Sequence, residues 1–449
     1  MINDEYQSWY QKHFHKDVDP KTHVVPLEKA LQGHPEAGQL WETMIVGILE
    51  GDELQFKSTT HERNLYRGEI NGELVLVCRQ VDDFAIASTS PTTAEKLIST
   101  INKHATTASK GIGVKTDQGY SFRYIGVNLH QTRDFIKLSC ETYIKRILQT
   151  HGWETPGARE SDRFDSVPMT ADSANHLLTI ELGPMEGTPE HRELEKQVGF
   201  SFRQVLGELV YAYVVCRLDI AFAVTLLSRF ATAPAREHYL GLKQIVRYLR
   251  RTMDWGIVYW REHPVESLPK VDLARPEIDS SLPTFPMHKL LQLVGFVDAA
   301  YATDTKTRRS VTGLVFCLAG GAIAYKSKLQ VTVATSSTEA EFIAAVHAAK
   351  IAKYLRAVLL EFGFPQDEAT PLYEDNLSTI AMINERKPTG NSRHIDIQYF
   401  AIQEWRRRNI VVMRHIPGVI NIADQATKAL GWTLHSCHAH RAMGHHGPN

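Results

Sequence analysis

The sequence predicts an α/β and α+β multidomain protein whose last large unit is a mixed five-stranded sheet with flanking helices. Three observations carry that expectation. The chain has 449 residues, room for two to four domains. Late in the chain three apolar runs joined by short turns, QLVGFVDAAYA, SVTGLVFCLAG and GAIAYKSK, precede a long helical pattern and two further strand-like runs. Finally, residues 154–190 and 261–288 lack apolar periodicity, and the second stretch holds Pro264, Pro269, Pro276, Pro283 and Pro286. These breaks divide the chain into 1–153, a helical 154–260, a linker 261–288, a second folded region 289–432 and a polar tail 433–449 that carries Cys437 and five histidines.

Taken in order, ELVLVCRQ and FAIAS read as a hairpin, and SFRYIGVNL and FIKLS as two more strands. Residues 199–233 read as long, largely buried helices, and EHYLGLKQIVRYLRRT as an amphipathic helix. On that helix Lys243, Arg247, Arg250 and Arg251 fall at i, i+4, i+7 and i+8, one face that serves either solvation or phosphate contact. After the second break come the three strands, then the helix STEAEFIAAVHAAKIAKYLRAVLLEFG closed by Gly363. Strand PLYED, helices NLSTIAMINE and HIDIQYFAIQEWRRR, strand NIVVMRHI and a last short helix NIADQATKAL complete the pattern. The tail reads as a disordered polar terminus, since its spacing matches no tetrahedral zinc pattern.

Charge is balanced, with 50 Lys and Arg against 51 Asp and Glu, so any basic surface must be local. The five cysteines include no CxxC pair, which points to a reducing compartment and an intracellular, soluble protein. No apolar run reaches the length of a membrane span, so no membrane partner is expected.

Carboxylates placed where apolar residues belong are the informative feature. In the strand after Leu291, Val294, Phe296 and Asp298 share one face at a period of two. Glu341 continues the stripe of Ala345, Ala348, Ala352, Leu355 and Leu359 on the long helix, whereas Glu339 lies about 200° away. Asp375 closes the short strand after Tyr373, and Asp424 lies inward with Ile420, Ala423 and Thr427. Singly, Asp375 suits an N-cap and Asp424 a first-turn acid. Four acids at the inward ends of four elements would repel unless divalent cations sat among them, and hard oxygen ligands suit magnesium or manganese. Two such ions about 4 Å apart form a clamp for phosphodiester cleavage. Upstream, Asp82 and Asp83 in VCRQVDDFAIAS interrupt apolar strands, and a tight turn brings both near one place.

The motifs GFVDAAYATDTKTRRSVTG, KSKLQVTVATSSTEAEFIAA, LYEDNLSTIAM, RHIDIQYFAIQEW and IPGVINIADQATKAL together resemble the ribonuclease H domain of copia-type retrotransposon polyproteins, from about Lys289 to Leu430. The resemblance implies that Asp298, Glu341, Asp375 and Asp424 bind two Mg2+ or Mn2+ ions and cut the RNA strand of an RNA–DNA hybrid. His415, tempting as a mobile catalytic histidine, reads instead as a strand-end residue. VPLEKALQGHPEAGQLWE and LVLVCRQVDDFAIAS resemble the palm of the family's reverse transcriptases. LGELVYAYVVCRLDIAFAVTLLSRF and HYLGLKQIVRYLRRT resemble the thumb and connection that follow. Asp82 and Asp83 then match the polymerase's metal-binding pair, with Gln80 where tyrosine is more common. The family's fingers and further catalytic aspartate find no match before residue 26, where only Asp4, Asp17 and Asp19 lie, so impaired polymerisation is expected.

The implied partners are an RNA–DNA hybrid, DNA, RNA and other parts of a retrotransposon polyprotein. The implied location is a cytoplasmic virus-like particle, the nucleus, or both. Lys306, Arg308, Arg309 and Arg406 to Arg408 are candidate backbone contacts or solvated surface. A non-catalytic nucleic-acid-binding remnant is the competing reading.

Overall fold

The computed structural model describes residues 4–19, 21, 34–107, 113–155, 166–273, 279–384 and 393–447. Two compact units emerge, residues 1–59 with 63–109, and residues 60–62 with 110–449.

The first unit contains α1 (Asp4–Phe14), α2 (Ala37–Glu50), β1 (Lys57–Ser58), β2 (Leu65–Ile70), β3 (Glu73–Gln80), β4 (Asp83–Ser88) and α3 (Pro91–Asn102). The strands make an antiparallel sheet in sequence order. Val75 and Val77 of β3 pack with Ile45, Leu49, Leu97 and Ile101 of the helices, so alternation along the strand becomes one buried face. The predicted hairpin is present, with Gln80 opposite Asp83. The first part of VPLEKALQGHPEAGQLWE, residues 25–33, lies outside the described residues.

The second unit opens with β5 (Val114–Thr116), β6 (Gly119–Tyr124), β7 (Val127–Gln131) and β8 (Phe135–Ser139). Here SFRYIGVNL is two strands rather than one. Ile125 and Gly126 both take positive φ, 47° and 79°, and fold it into a two-residue hairpin. Helices α4 (Glu141–His151), α5 (Ala171–Thr179), α6 (Pro189–Val198), α7 (Phe202–Val215), α8 (Ala221–Ser228) and α9 (Arg236–Arg251) follow, then β9 (Gly256–Trp260), which pairs antiparallel with β8. The connection expected over 154–190 therefore contains α5, whose Ala174, Leu177 and Leu178 are buried.

The third sheet is the predicted one. Strands β10 (Val294–Ala300), β11 (Val311–Leu318) and β12 (Gly321–Leu329) pair antiparallel. Helix α10 (Ser337–Phe362) then crosses to β13 (Thr370–Glu374), parallel to β10. Helices α11 (Leu377–Asn384) and α12 (Arg393–Arg407) lead to β14 (Val411–His415), parallel to β13. The order β12-β11-β10-β13-β14 is mixed, as expected. Helix α10 starts where the Ser336 hydroxyl accepts the Glu339 amide (3.1 Å) and ends at Gly363, with φ 92°. Its stripe of Ala344, Ala345, Ala348, Ala349 and Ala352 is fully buried against Val297, Leu314 and Phe316.

The expected boundaries at 153, 260 and 288 do not separate this unit. Strand β9 completes the sheet begun at β5, and one apolar core joins α4 to α9 with Val294, Phe296, Val315 and Tyr373 on the second face of the third sheet. The predicted linker contributes Phe285, stacked on Phe296 at 5.3 Å. Residues 274–278 of it lie outside the described residues.

The tail departs furthest from expectation. Residues 432–442 form α13 (Trp432–Ala442), with His435, His438, Met443 and His445 buried. Val258 N donates to Met443 O (2.8 Å), Trp260 Nε1 to Gly444 O (2.8 Å), and His445 Nε2 pairs with Gly256 O (2.6 Å). Burial pushes His435 down to about 4 and His438 down to about 3, so both are neutral near pH 7, and His435 Nε2 pairs with the Tyr248 hydroxyl at 3.1 Å. The expected disordered polar terminus is therefore corrected: its histidines are buried in a helix docked on β9. NIADQATKAL likewise forms 3-10 turns, Gly418–Ile420 and Ile422–Ala426, rather than an α-helix.

Candidate active site

Strand β10 carries Asp298 on the face of Val294 and Phe296, and the side chain is 3% exposed. Glu341 reaches it from the first turns of α10, and Asp375 from the residue after β13. One carboxylate oxygen from each of Asp298, Glu341 and Asp375 lies within 4.8 Å of the others, the one such acid group among the described residues.

Asp424 approaches from the other side, and two glycines make room. Gly313 stands opposite Asp298 in register. A Cβ there would meet Thr427 Cγ2 at 2.5 Å and Ala423 O at 2.8 Å, so only glycine lets the 3-10 segment close on the sheet. A Cβ at Gly418 would meet Asp375 Oδ2 at 2.7 Å. Asn421 locks the segment down, donating from Nδ2 to Val297 O (2.7 Å) and accepting from Ala423 N (3.2 Å). Thr427 Oγ1 donates to Asp298 Oδ2, and Lys428 Nζ lies 2.8 Å from Asp424 Oδ2 and 3.9 Å from Asp298 Oδ2.

The electrostatics are those of crowded acids taken out of water. Burial, then the charges of Glu374, Asp298 and Asp375, push Glu341 up to about 11. Burial and Asp298 push Asp424 up to about 8 and also raise Asp375. Glu374, which the sequence reading passed over, is fully buried and raised well above the usual carboxylate range, chiefly by burial. Glu341 Oε2, Glu374 Oε2 and Asp424 Oδ1 are buried without a hydrogen-bond partner among the described residues. Buried carboxylate oxygens left unpaired are costly, and a hard divalent cation is the ligand that such a donor set fits.

The structure therefore brings together Asp298, Glu341 and Asp375, with Asp424 coupled to Asp298 directly and through Lys428. Glu339 is turned to capping, accepting from Thr335 N at 2.6 Å. His415 ends β14 exposed. Glu374, Lys428, Gly313, Gly418 and Asn421 were missed, and Thr427 was read only as an inward neighbour of Asp424; the Asn-x-x-Asp spacing of NIAD was the one available signal.

The other acid pair is built differently. Val81 and Asp82 form the two-residue loop between β3 and β4, with Asp82 exposed and Asp83 half-buried. Val81 has φ 57°, a left-handed conformation uncommon for a β-branched residue. Its carbonyl accepts from Trp41 Nε1 (2.9 Å) and Arg79 Nη1 (3.2 Å). Arg79, 2% exposed, is clamped by Glu42 (2.6 and 2.8 Å) and Asn64 (3.0 Å). Among the described residues no third acid joins Asp82 and Asp83.

The basic face of α9 is largely used within the chain. The Lys243 ammonium sits over Trp153 (5.5 Å) and Phe200 (5.6 Å), and Arg250 Nη1 donates to Trp153 O (3.2 Å) and Thr155 O (3.3 Å). Arg247 and Arg251 also have partners in the chain. The face expected to meet phosphate thus fastens residues 153–155. Arg308 is exposed and Arg309 partly so, on a loop where Asp304 pairs with Arg229.

The chain is similar to several known proteins. The family model described as reverse transcriptase (RNA-dependent DNA polymerase) matches residues 10–156. The retrovirus-related Pol polyprotein from transposon TNT 1-94 of Nicotiana tabacum is 28% identical over 418 residues, 92% of this chain and 28% of that protein. The corresponding polyprotein from transposon RE1 of Arabidopsis thaliana is 24% identical over 417 residues, 93% of this chain and 25% of that one. The chain spans about a quarter of the length of these relatives. Among solved structures, LC11-RNase H1 in complex with RNA/DNA hybrid is similar over 30% of this chain and 94% of its own, at 14% identity and TM-score 0.24. Among the described residues no helix is long and apolar enough to cross a membrane.

Proposed function

We propose that this chain, which belongs to the copia-type retrotransposon Pol polyproteins, hydrolyses the RNA strand of RNA–DNA hybrids at Asp298, Glu341, Asp375 and Asp424. One observation carries the reading: two buried carboxylates and the half-buried Asp375 converge within 4.8 Å from separate elements, beside buried acid oxygens that nothing among the described residues satisfies. Magnesium or manganese ions held there would activate water and stabilise the departing oxygen.

The chain's own residues prepare that site. Thr427 Oγ1 donates to one oxygen of Asp298 and so fixes that carboxylate's orientation. Asn421 holds the Asp424 segment against the neighbour of Asp298 on β10. Lys428 supplies one positive charge to acids that would otherwise repel without compensation. Phe285, Phe296 and Tyr373, stacked at 5.3 and 5.2 Å, fix the strands beneath. Asp82 and Asp83, lacking a third acid among the described residues, would not support polymerisation by this polypeptide on its own.

The test gives purified protein a labelled RNA–DNA hybrid with magnesium, beside D298N and D82N. Wild type and D82N should cleave the RNA strand alike, and D298N should lose roughly 10²–10³-fold. Equal cleavage by wild type and D298N, or none by either, would end the nuclease reading. Primer extension on an RNA template should be negligible in all three.

A further inference from the structure

Residues Lys326 and Lys328 of β12 alternate with Tyr325 and Ser327 and so share a face. The Tyr325 hydroxyl reaches across to Tyr213 O at 2.9 Å on the α7 side, which leaves the two lysines on the opposite side, that of α10. There His347 and Lys350 stand about one helical turn apart. Lys326 and His347 are half-buried, while Lys328 and Lys350 are exposed.

These groups are close enough to feel one another. Burial, then the charges of Lys326, Lys328 and Lys350, hold His347 below its ordinary value, and burial with Lys328 does the same to Lys326. None of the four has a hydrogen bond or ion pair among the described residues. Some exposed lysines elsewhere are paired, Lys103 with Glu53, Lys145 with Glu141 and Lys289 with Glu368, while Lys57, Lys115 and Lys196 also stand alone among the described residues, but singly rather than in a cluster. Like charges gathered without a counter-ion, in a chain with as many acids as bases, mark a surface shaped for a polyanion.

Register places the patch relative to the acids. Lys328 stands opposite Thr312, and Thr312 opposite Ala299, the residue after Asp298. Two strand spacings put the Lys328 backbone about 10 Å from that of Ala299, on the α10 face of the sheet, with the Asp298 side chain turned to the other face and met at its end by Glu341 of α10. His347 and Lys350 follow Glu341 by six and nine residues, about 9 and 14 Å along α10. One strand of a duplex presents a phosphate for each ~3.4 Å of axis, so the patch lies a few nucleotides from the acid cluster.

We propose that Lys326, Lys328, Lys350 and His347 form the surface that takes the sugar–phosphate backbone of the hybrid a few nucleotides from the cleaved bond. The assignment rests on the nuclease reading for its ligand, and not on α9, whose basic face is committed to Trp153 and Thr155.

Binding of a labelled RNA–DNA hybrid to the full chain, measured in EDTA from 50 to 300 mM salt, tests it without cleavage. Each lysine–phosphate contact contributes about 0.9 to the slope of log affinity against log salt. The K326Q/K328Q/K350Q variant should therefore lower the slope by about 2–3 and weaken binding at least ~10-fold at 100 mM salt. The charge-matched K103Q/K145Q/K289Q variant should leave the slope within about 1 of wild type. Equal slopes for the two triple variants would overturn the proposal, as would loss of binding to phosphatidylserine vesicles with hybrid binding intact. Cleavage with magnesium, run in parallel, separates the two readings. A slope that falls while no variant cleaves sustains the patch and removes the nuclease, whereas Asp298-dependent cleavage with an unchanged slope does the reverse.

Discussion

Asp298, Glu341, Glu374 and Asp424 are buried and crowded, with the half-buried Asp375 among them, whereas Asp82 stands exposed at a hairpin tip with Asp83 half-buried beside it. Both sets interrupt apolar strands, yet the physics differs. At Asp298 the fold holds like charges together against repulsion and desolvation, which raises Glu341, Glu374, Asp375 and Asp424. At Asp82 the unfavourable element is the backbone: Val81 is left-handed, anchored by Trp41 and Arg79. One site concentrates electrostatic cost that a bound cation would relieve. The other keeps a turn geometry whose acids are already wet.

Three measurements would sharpen or break that contrast, beyond the cleavage and salt experiments above. The largest effect is on alkaline stability. Glu341 and Asp424 have folded pKa values of about 11 and about 8, above their ordinary 4.5 and 3.8, so the native state binds protons that the unfolded chain releases. The favourable contribution is full below pH ~4 and is lost as pH rises through 8 toward 11. Without divalent ions, unfolding free energy should fall by about 3 kcal/mol or more from pH 5 to 9, and E341Q should remove most of that fall. Chemical denaturation in EDTA across this range checks it, and a flat wild-type profile would break the picture of crowded acids. Adding magnesium or manganese should flatten the profile.

Next comes Lys428. Replacing it with methionine removes the cation between Asp298 and Asp424, and should destabilise the metal-free protein by about 1–3 kcal/mol at pH 7. Saturating manganese should shrink that loss, because the ion supplies the missing charge. A loss unaffected by manganese would make Lys428 an ordinary packing residue. The smallest effect belongs to the hairpin: V81G should change stability by no more than about 1 kcal/mol, as relief of the left-handed strain opposes the added freedom of glycine. A loss above ~2 kcal/mol would show that Val81 packs rather than strains.

The legible part of this molecule was whatever depends on periodicity within one element. Alternation put Asp298 on a buried face, the 3.6-residue repeat separated Glu341 from Glu339, and Gly363 ended α10. What depends on distant partners stayed hidden. The position of Glu374 on β13 looks like that of any core residue, and its burial among acids appears only once α10 crosses above it. Gly313 looked dispensable until Thr427, 114 positions later, came to rest on it. The cations of α9 read as outward until Trp153 and Phe200 occupied them. The tail histidines read as polar because neutrality is conferred by the cavity they fill.

The docking of the last residues on β9 has a consequence for how the chain is made. Trp260 Nε1 and Gly256 O wait for Gly444 and His445, 184 and 189 positions further along. At ~5–20 residues per second, a ribosome that has released β9 needs roughly 10–40 s more to deliver them. During that interval the β9 edge is capped at Trp260, by Ala319 O, and the Val258 amide that Met443 will take stays open, a ready target for wrong strand partners or for a chaperone. The β10–β14 sheet and the sheet before it are thus finished together, late in synthesis, by the same short stretch of backbone.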